Sequence, residues 1–136
     1  MHRQSVGACG IVLGALGALL LGACGGEDDR PATLEYITAA ILVPSCAAAQ
    51  CHSAFTQAEG LDFSSVAAAR KTITEFGLIT QDDTGTTGDP DASLLFLVLV
   101  SPGGDGFVSR MPWDRPMPNA DIALIQRWIE DGAPGL

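Results

Sequence analysis

Pro44-Ser45-Cys46-Ala47-Ala48-Ala49-Gln50-Cys51-His52 is the stretch from which the rest of the chain can be read. Two cysteines stand with four residues between them, and a histidine follows the second directly. Upstream, Leu34, Ile37 and Ile41 recur at i, i+3 and i+7 with Leu42 beside them, one apolar face of a helix over about Leu34 to Val43. Thr33 is placed to cap its start. Pro44 is expected to break it, because an interior proline lacks a donor and crowds the preceding turn.

Further upstream the chain changes character. Met1-His2-Arg3, an apolar run from Ile11 to Leu21 and the small residues Gly22-Ala23 have the layout of a secretory signal. The run is short for a membrane-spanning helix, which needs about 20 apolar residues. Leu21-Gly22-Ala23-Cys24 resembles the lipobox of bacterial lipoproteins. That resemblance implies cleavage after residue 23, acylation of Cys24 and attachment to a membrane, several acyl chains giving firm anchoring. The alternative is an ordinary cleaved signal with Cys24 free. Residues 24–32, polar, acidic and glycine-rich, are expected to form a flexible linker before a single domain at 33–136.

Of the 136 residues, cleavage would leave 113, with six basic side chains against sixteen acidic ones and a net charge of −10. Such a balance argues against nucleic acid as a partner and against broad contact with anionic lipid head groups. Of four cysteines, Cys9 leaves with the signal, and His52 is the only histidine that stays. A Ser/His/Asp triad would therefore have to use His52. Gly103-Gly104-Asp105-Gly106 reads as a turn, since neither a lysine nor a helix start follows it.

Downstream, Gly60-Leu61-Asp62-Phe63 is expected to be irregular with two inward apolar side chains. Ser64 or Ser65 is placed to cap a helix from about Val66 to Phe76, closed by Gly77. Gln81 to Gly88 shows no periodicity and reads as surface loop. Asp89-Pro90 has the N-cap and N1 residues of a helix start, which favours a helix for the apolar run Ser93 to Val100. Phe107 to Pro118 is a proline-rich loop. Asn119 is expected to cap a last helix over about Ala120 to Asp131, with Ile122, Ile125, Trp128 and Ile129 as its apolar stripe and Gly132 at its end. The fold class expected is all-α, a small helical domain with long loops, and its core would be thin unless a large group filled the centre.

Two cysteines followed at once by histidine read as a covalent c-type haem attachment site, in which both sulfurs add to haem vinyl groups and the imidazole takes an axial position on iron. The usual spacer has two residues. Here it has four, Ala47-Ala48-Ala49-Gln50, a length known in one class of c-type cytochromes. With no second mature histidine, the sixth ligand falls to methionine, a soft thioether that raises the reduction potential when paired with histidine. Met111 and Met117 are the two candidates, each followed by proline. Two other readings stay open: a Cys46–Cys51 disulfide in an oxidising compartment, and Cu(I) held by Cys46, Cys51, His52 and a methionine.

Four pieces together resemble the cytochrome c-like domain of planctomycete-type and myxobacterial lipoproteins. They are Cys46/Cys51-His52, Gly60 to Phe63, Gly88-Asp89-Pro90-Asp91-Ala92-Ser93-Leu94-Leu95, and Ile122 to Ala133. The resemblance covers about Thr33 to Pro134. It implies one haem c and a role as an electron carrier rather than an enzyme, working with a redox partner protein in the bacterial cell envelope, on the periplasmic side or the outer membrane. It also implies Met111 as the axial methionine, from its distance to the last helix, with Met117 as fallback. A reading from a different class is a haem-free, disulfide-stapled surface lipoprotein that binds a partner.

Overall fold

The structure, a computed structural model, describes residues 28–102 and 109–136. Residues 1–23 and Cys24, and the turn at Gly103–Gly106, lie outside the described residues. Helices dominate: α1 (Leu34–Ile37), α2 (Val43–Cys46), α3 (Val66–Glu75), α4 (Leu94–Val100) and α5 (Asn119–Glu130).

The first helix corrects one expectation. Thr33 caps it as read, its Oγ1 accepting from the Tyr36 amide at 3.3 Å. Pro44 does not stop it. Between α1 and α2 the chain forms a π-helical turn, Thr38–Leu42, and helix continues to Cys46. The Val43 amide reaches back five residues to the Thr38 carbonyl, so the turn is wider than an α turn. A widened turn makes room for the pyrrolidine ring and needs no donor from Pro44, which sits at the start of α2 where its missing N–H is least costly. The helix thus delivers Cys46 at its own C-terminus.

The other helices follow from local chemistry, with adjustments. Ser65 Oγ accepts from the Ala68 amide at 3.2 Å, and Gly77 (φ +58°) turns the chain after α3. The Asp89 side chain caps a short 3-10 turn, Pro90–Ala92, rather than the helix itself. Buried Ser93 then begins α4, its hydroxyl donating to the Asp89 carbonyl and accepting from the Thr80 amide. Asn119 is the first residue of α5 rather than its cap, and Pro118 before it offers no side-chain hydrogen bond.

Gln81 to Gly88, expected as plain loop, closes a small antiparallel hairpin between β1 (Thr80–Gln81) and β2 (Gly88–Asp89). Asp82 organises its tip by accepting from the amides of Thr84 and Thr86 and from the hydroxyls of Thr84, Thr86 and Thr87. The hairpin lies directly on the end of α5. A Cβ on Gly88 would stand 2.3 Å from the Ile129 carbonyl oxygen, so only glycine allows that approach.

One core joins these elements. Leu34, Ile37 and Ile41 of the first helix meet Leu124, Ile125, Trp128 and Ile129 of α5, with Ile73, Leu95, Phe96 and Leu99 completing it. Trp128 is fully buried, and its indole N–H donates to the Pro134 carbonyl at 3.0 Å. The Leu34 amide donates to the same oxygen at 3.1 Å. One carbonyl after α5 therefore satisfies the most buried polar group of α5 and an end amide of α1. No helix among the described residues is long and apolar enough to cross a membrane.

The linker expectation also changes. The described part of residues 24–32 is docked: the Arg127 guanidinium donates to the carbonyls of Asp28 (2.8 Å) and Arg30 (2.7 Å). Arg30 in turn bridges Asp28 and Asp121 and donates to the Ala120 carbonyl.

Candidate functional site

The helix that ends at Cys46 passes into a closed loop. The Ala47 amide still points back at the carbonyls of Leu42 and Val43. The Cys51 amide donates to the Ala48 carbonyl at 2.8 Å, a tight turn, and the His52 amide donates to the Cys46 carbonyl at 3.1 Å. The four-residue spacer is thereby gathered in, and Cys46, Cys51 and His52 are held on one loop. Small side chains at Ala47, Ala48 and Ala49 permit that compactness.

A second loop fixes the imidazole. Ala58 donates its amide to the Cys51 carbonyl at 3.1 Å, and its own carbonyl lies 2.9 Å from His52 Nδ1. A carbonyl can only accept, so Nδ1 carries the proton and the Nε2 lone pair is left for another partner. The residues on either side of Ala58 adopt left-handed backbone, Gln57 at φ +46° and Glu59 at φ +56°, and Gly60 follows at φ +78°. For non-glycine residues this conformation costs of the order of 1 kcal/mol or more each. The loop bears that strain while presenting the Ala58 carbonyl to the histidine. From the far side, buried Phe63 meets the imidazole edge to face at 5.8 Å between centroids, and its amide donates to the His52 carbonyl. Thr72 of α3 anchors this segment, its hydroxyl accepting from the Asp62 amide and donating to the Asp62 carbonyl.

The cysteines are half-buried and not joined to each other. Burial, and secondarily the neighbouring Cys51, push the Cys46 thiol up to about 12. At neutral pH its sulfur is therefore the uncharged thiol. Among the described residues, no group of three His, Cys, Asp or Glu side chains is arranged to hold a metal ion.

The methionines separate clearly. Met117 is buried at 6% exposure within the core, where it fills space. Met111 is half-buried in the loop before α5, its amide donating to the Val98 carbonyl of α4 at 2.8 Å. Its place is set by α4, not by the Cys46–His52 loop. Trp113 beside it is largely exposed. A surface pocket of about 510 Å³ lies between the end of α4 and α5 and is lined by Met117 and Ile122, away from His52.

The sequence singled out Cys46, Cys51 and His52 and placed Phe63 only as an inward apolar side chain, with no sign of Ala58, Gln57 or Glu59. Gly60 is the one local hint of a left-handed loop there; Gln57 and Glu59 give none. No known protein family, curated protein or solved structure matches the chain.

Proposed function

We propose that this chain is a lipid-anchored, single-haem electron carrier of the cell envelope, of the cytochrome c-like kind its motifs resemble. The observation that carries the reading is the preset imidazole: His52, directly after Cys51, has Nδ1 committed to Ala58 and Nε2 left as an uncommitted donor. Metal-bound histidines are typically held in this way by a partner on the other ring nitrogen. The donor set suits haem c. Cys46 and Cys51 would supply the two thioethers, and His52 and Met111 would be the side chains that ligate the iron, Met117 being engaged in the core.

Once bound, the haem would supply one-electron redox chemistry. The chain's own residues do the remainder. The closed Cys46–His52 loop sets the attachment points, Ala58 and Phe63 hold the imidazole plane, and α4 steadies the backbone of Met111. Acylation of Cys24 would tether the domain to its membrane.

The test is production of the full chain in cells with and without haem-ligation machinery. The expected product with the machinery is red, and its haem stays with the chain after denaturation. His52→Ala is expected to abolish the low-spin spectrum, and Met111→Ala to convert it to a high-spin one while the haem stays attached. A colourless protein whose Cys46 and Cys51 are found as a disulfide by mass spectrometry overturns the reading in favour of a haem-free binding module.

A further inference from the structure

We propose that the docked segment Asp28–Arg30 fixes which face of the domain lies on the membrane, the face formed by that segment and the flank of α5 from Ala120 to Arg127. The inference rests on acylation of Cys24 in the reading above and goes beyond it. A lipoprotein tether is ordinarily a free spacer that lets its domain tumble away from the lipid. Here the spacer is largely consumed.

Arg127 holds the Asp28 and Arg30 carbonyls, while the Arg30 guanidinium spans Asp28, Asp121 and the Ala120 carbonyl. The Arg30–Asp28 and Arg30–Asp121 pairs, at 2.7 and 2.6 Å, are about three-quarters shielded from solvent. Charge-assisted contacts of this geometry are the stronger kind, and two carbonyls read by one guanidinium give register as well as attraction. Only Gly25, Gly26 and Glu27 separate Cys24 from the docked Asp28. Four Cα–Cα steps span at most about 14 Å even when fully extended. That is about twice the thickness of a lipid headgroup layer, roughly 5–8 Å per leaflet. The α5 flank is thus held within about one helix diameter of the lipid surface. The outer face of α3, bearing exposed Lys71 and Glu75, belongs to a different helix, which like α5 packs on α1.

The experiment uses the mature acylated chain in lipid nanodiscs doped with a gadolinium-chelating headgroup lipid, with relaxation enhancement read at backbone amides. The expected result is enhancement several-fold larger at Asp29, Ala120 and Asp121 than at Lys71 and Glu75. Inserting twelve Gly/Ser residues between Gly26 and Glu27 leaves every clamp contact in place and is expected to level the difference. Arg127→Ala is expected to do the same by releasing the segment. Equal enhancement on both faces of the unaltered, acylated chain overturns the proposal while leaving the anchor intact. Absence of acyl mass on the Cys24 peptide overturns the anchor itself, and the two failures are told apart by that one mass measurement.

Discussion

His52 Nδ1 lies 2.9 Å from the carbonyl oxygen of Ala58, and the Ala58 amide lies 3.1 Å from the carbonyl of Cys51, so two adjacent residues of one loop are bound by a single residue of the next. In water neutral histidine prefers the tautomer with its proton on Nε2. The Ala58 carbonyl reverses that preference. Long-range proton–nitrogen spectra of the haem-free protein above neutral pH are expected to show the proton on Nδ1. Ala58→Pro, which removes the amide donor that seats the loop on Cys51, is expected to restore the ordinary tautomer mixture.

The π-helical turn carries an unusual polar group. Thr38 is 1% exposed, and its Oγ1 has no hydrogen-bond partner among the described residues. A buried unsatisfied hydroxyl costs about 1–3 kcal/mol of desolvation, whereas a methyl in its place does not. Thr38→Val keeps the shape and is expected to stabilise the domain by about 1 kcal/mol, read as a raised urea midpoint at unchanged slope. A lowered midpoint would show that the hydroxyl is paired.

Three glycines separate conformational cost from steric cost. Gly77 has φ +58° with open space where a Cβ would stand, so Gly77→Ala is expected to cost about 1 kcal/mol. Gly132 combines φ +78° with a Cβ position 2.6 Å from the Gly85 carbonyl, and Gly88 meets the Ile129 carbonyl at 2.3 Å. Alanine at either is expected to cost more than about 2 kcal/mol by forcing the hairpin off α5. Equal midpoints for all three variants would mean that the hairpin is not seated there.

The clamp on the α5 flank has a pH window. Hydrogen bonding from Arg30, with the charges of Arg30 and Arg127 adding and partial burial opposing, holds the Asp28 carboxyl at about 2 against an ordinary 3.8. The folded value is depressed, so the contribution of Asp28 is complete above the ordinary value and is lost as pH falls from about 3.8 toward 2. Carboxyl carbon shifts of Asp28 are expected to titrate in that low range. Arg30→Met is expected to return them toward the ordinary carboxylate value.

Much of the helical layout was legible because the cues are local. Thr33 and Ser65 cap within three residues of themselves, Gly77 and Gly132 supply left-handed turns, and the stripe of Ile125, Trp128 and Ile129 repeats with the helix. Local cues also misled where a wider geometry was available. Pro44 forbids an α-helical hydrogen bond at its own nitrogen, yet a π turn one step earlier removes the need for it. The hairpin at Thr80–Asp89 has strands of two residues, too short for any alternation to register in sequence.

The order Cys46, Cys51, His52, the helical register of the core residues and the position of each methionine relative to proline belong to the sequence alone, because each depends on neighbours a few positions apart. Tertiary structure alone decided that the four-residue spacer closes on itself, that Ala58 rather than solvent takes the Nδ1 proton, that Met117 belongs to the core, and that Asp28 to Arg30 lies against α5. The physical reasons are two. The Arg127–Arg30 contact joins residues 97 positions apart, beyond the reach of any local cue. The loop at Gln57 to Glu59 is held by nearby residues, Cys51, His52 and Ser53, through backbone groups that every residue carries, so its left-handed turns leave no mark in side-chain identity.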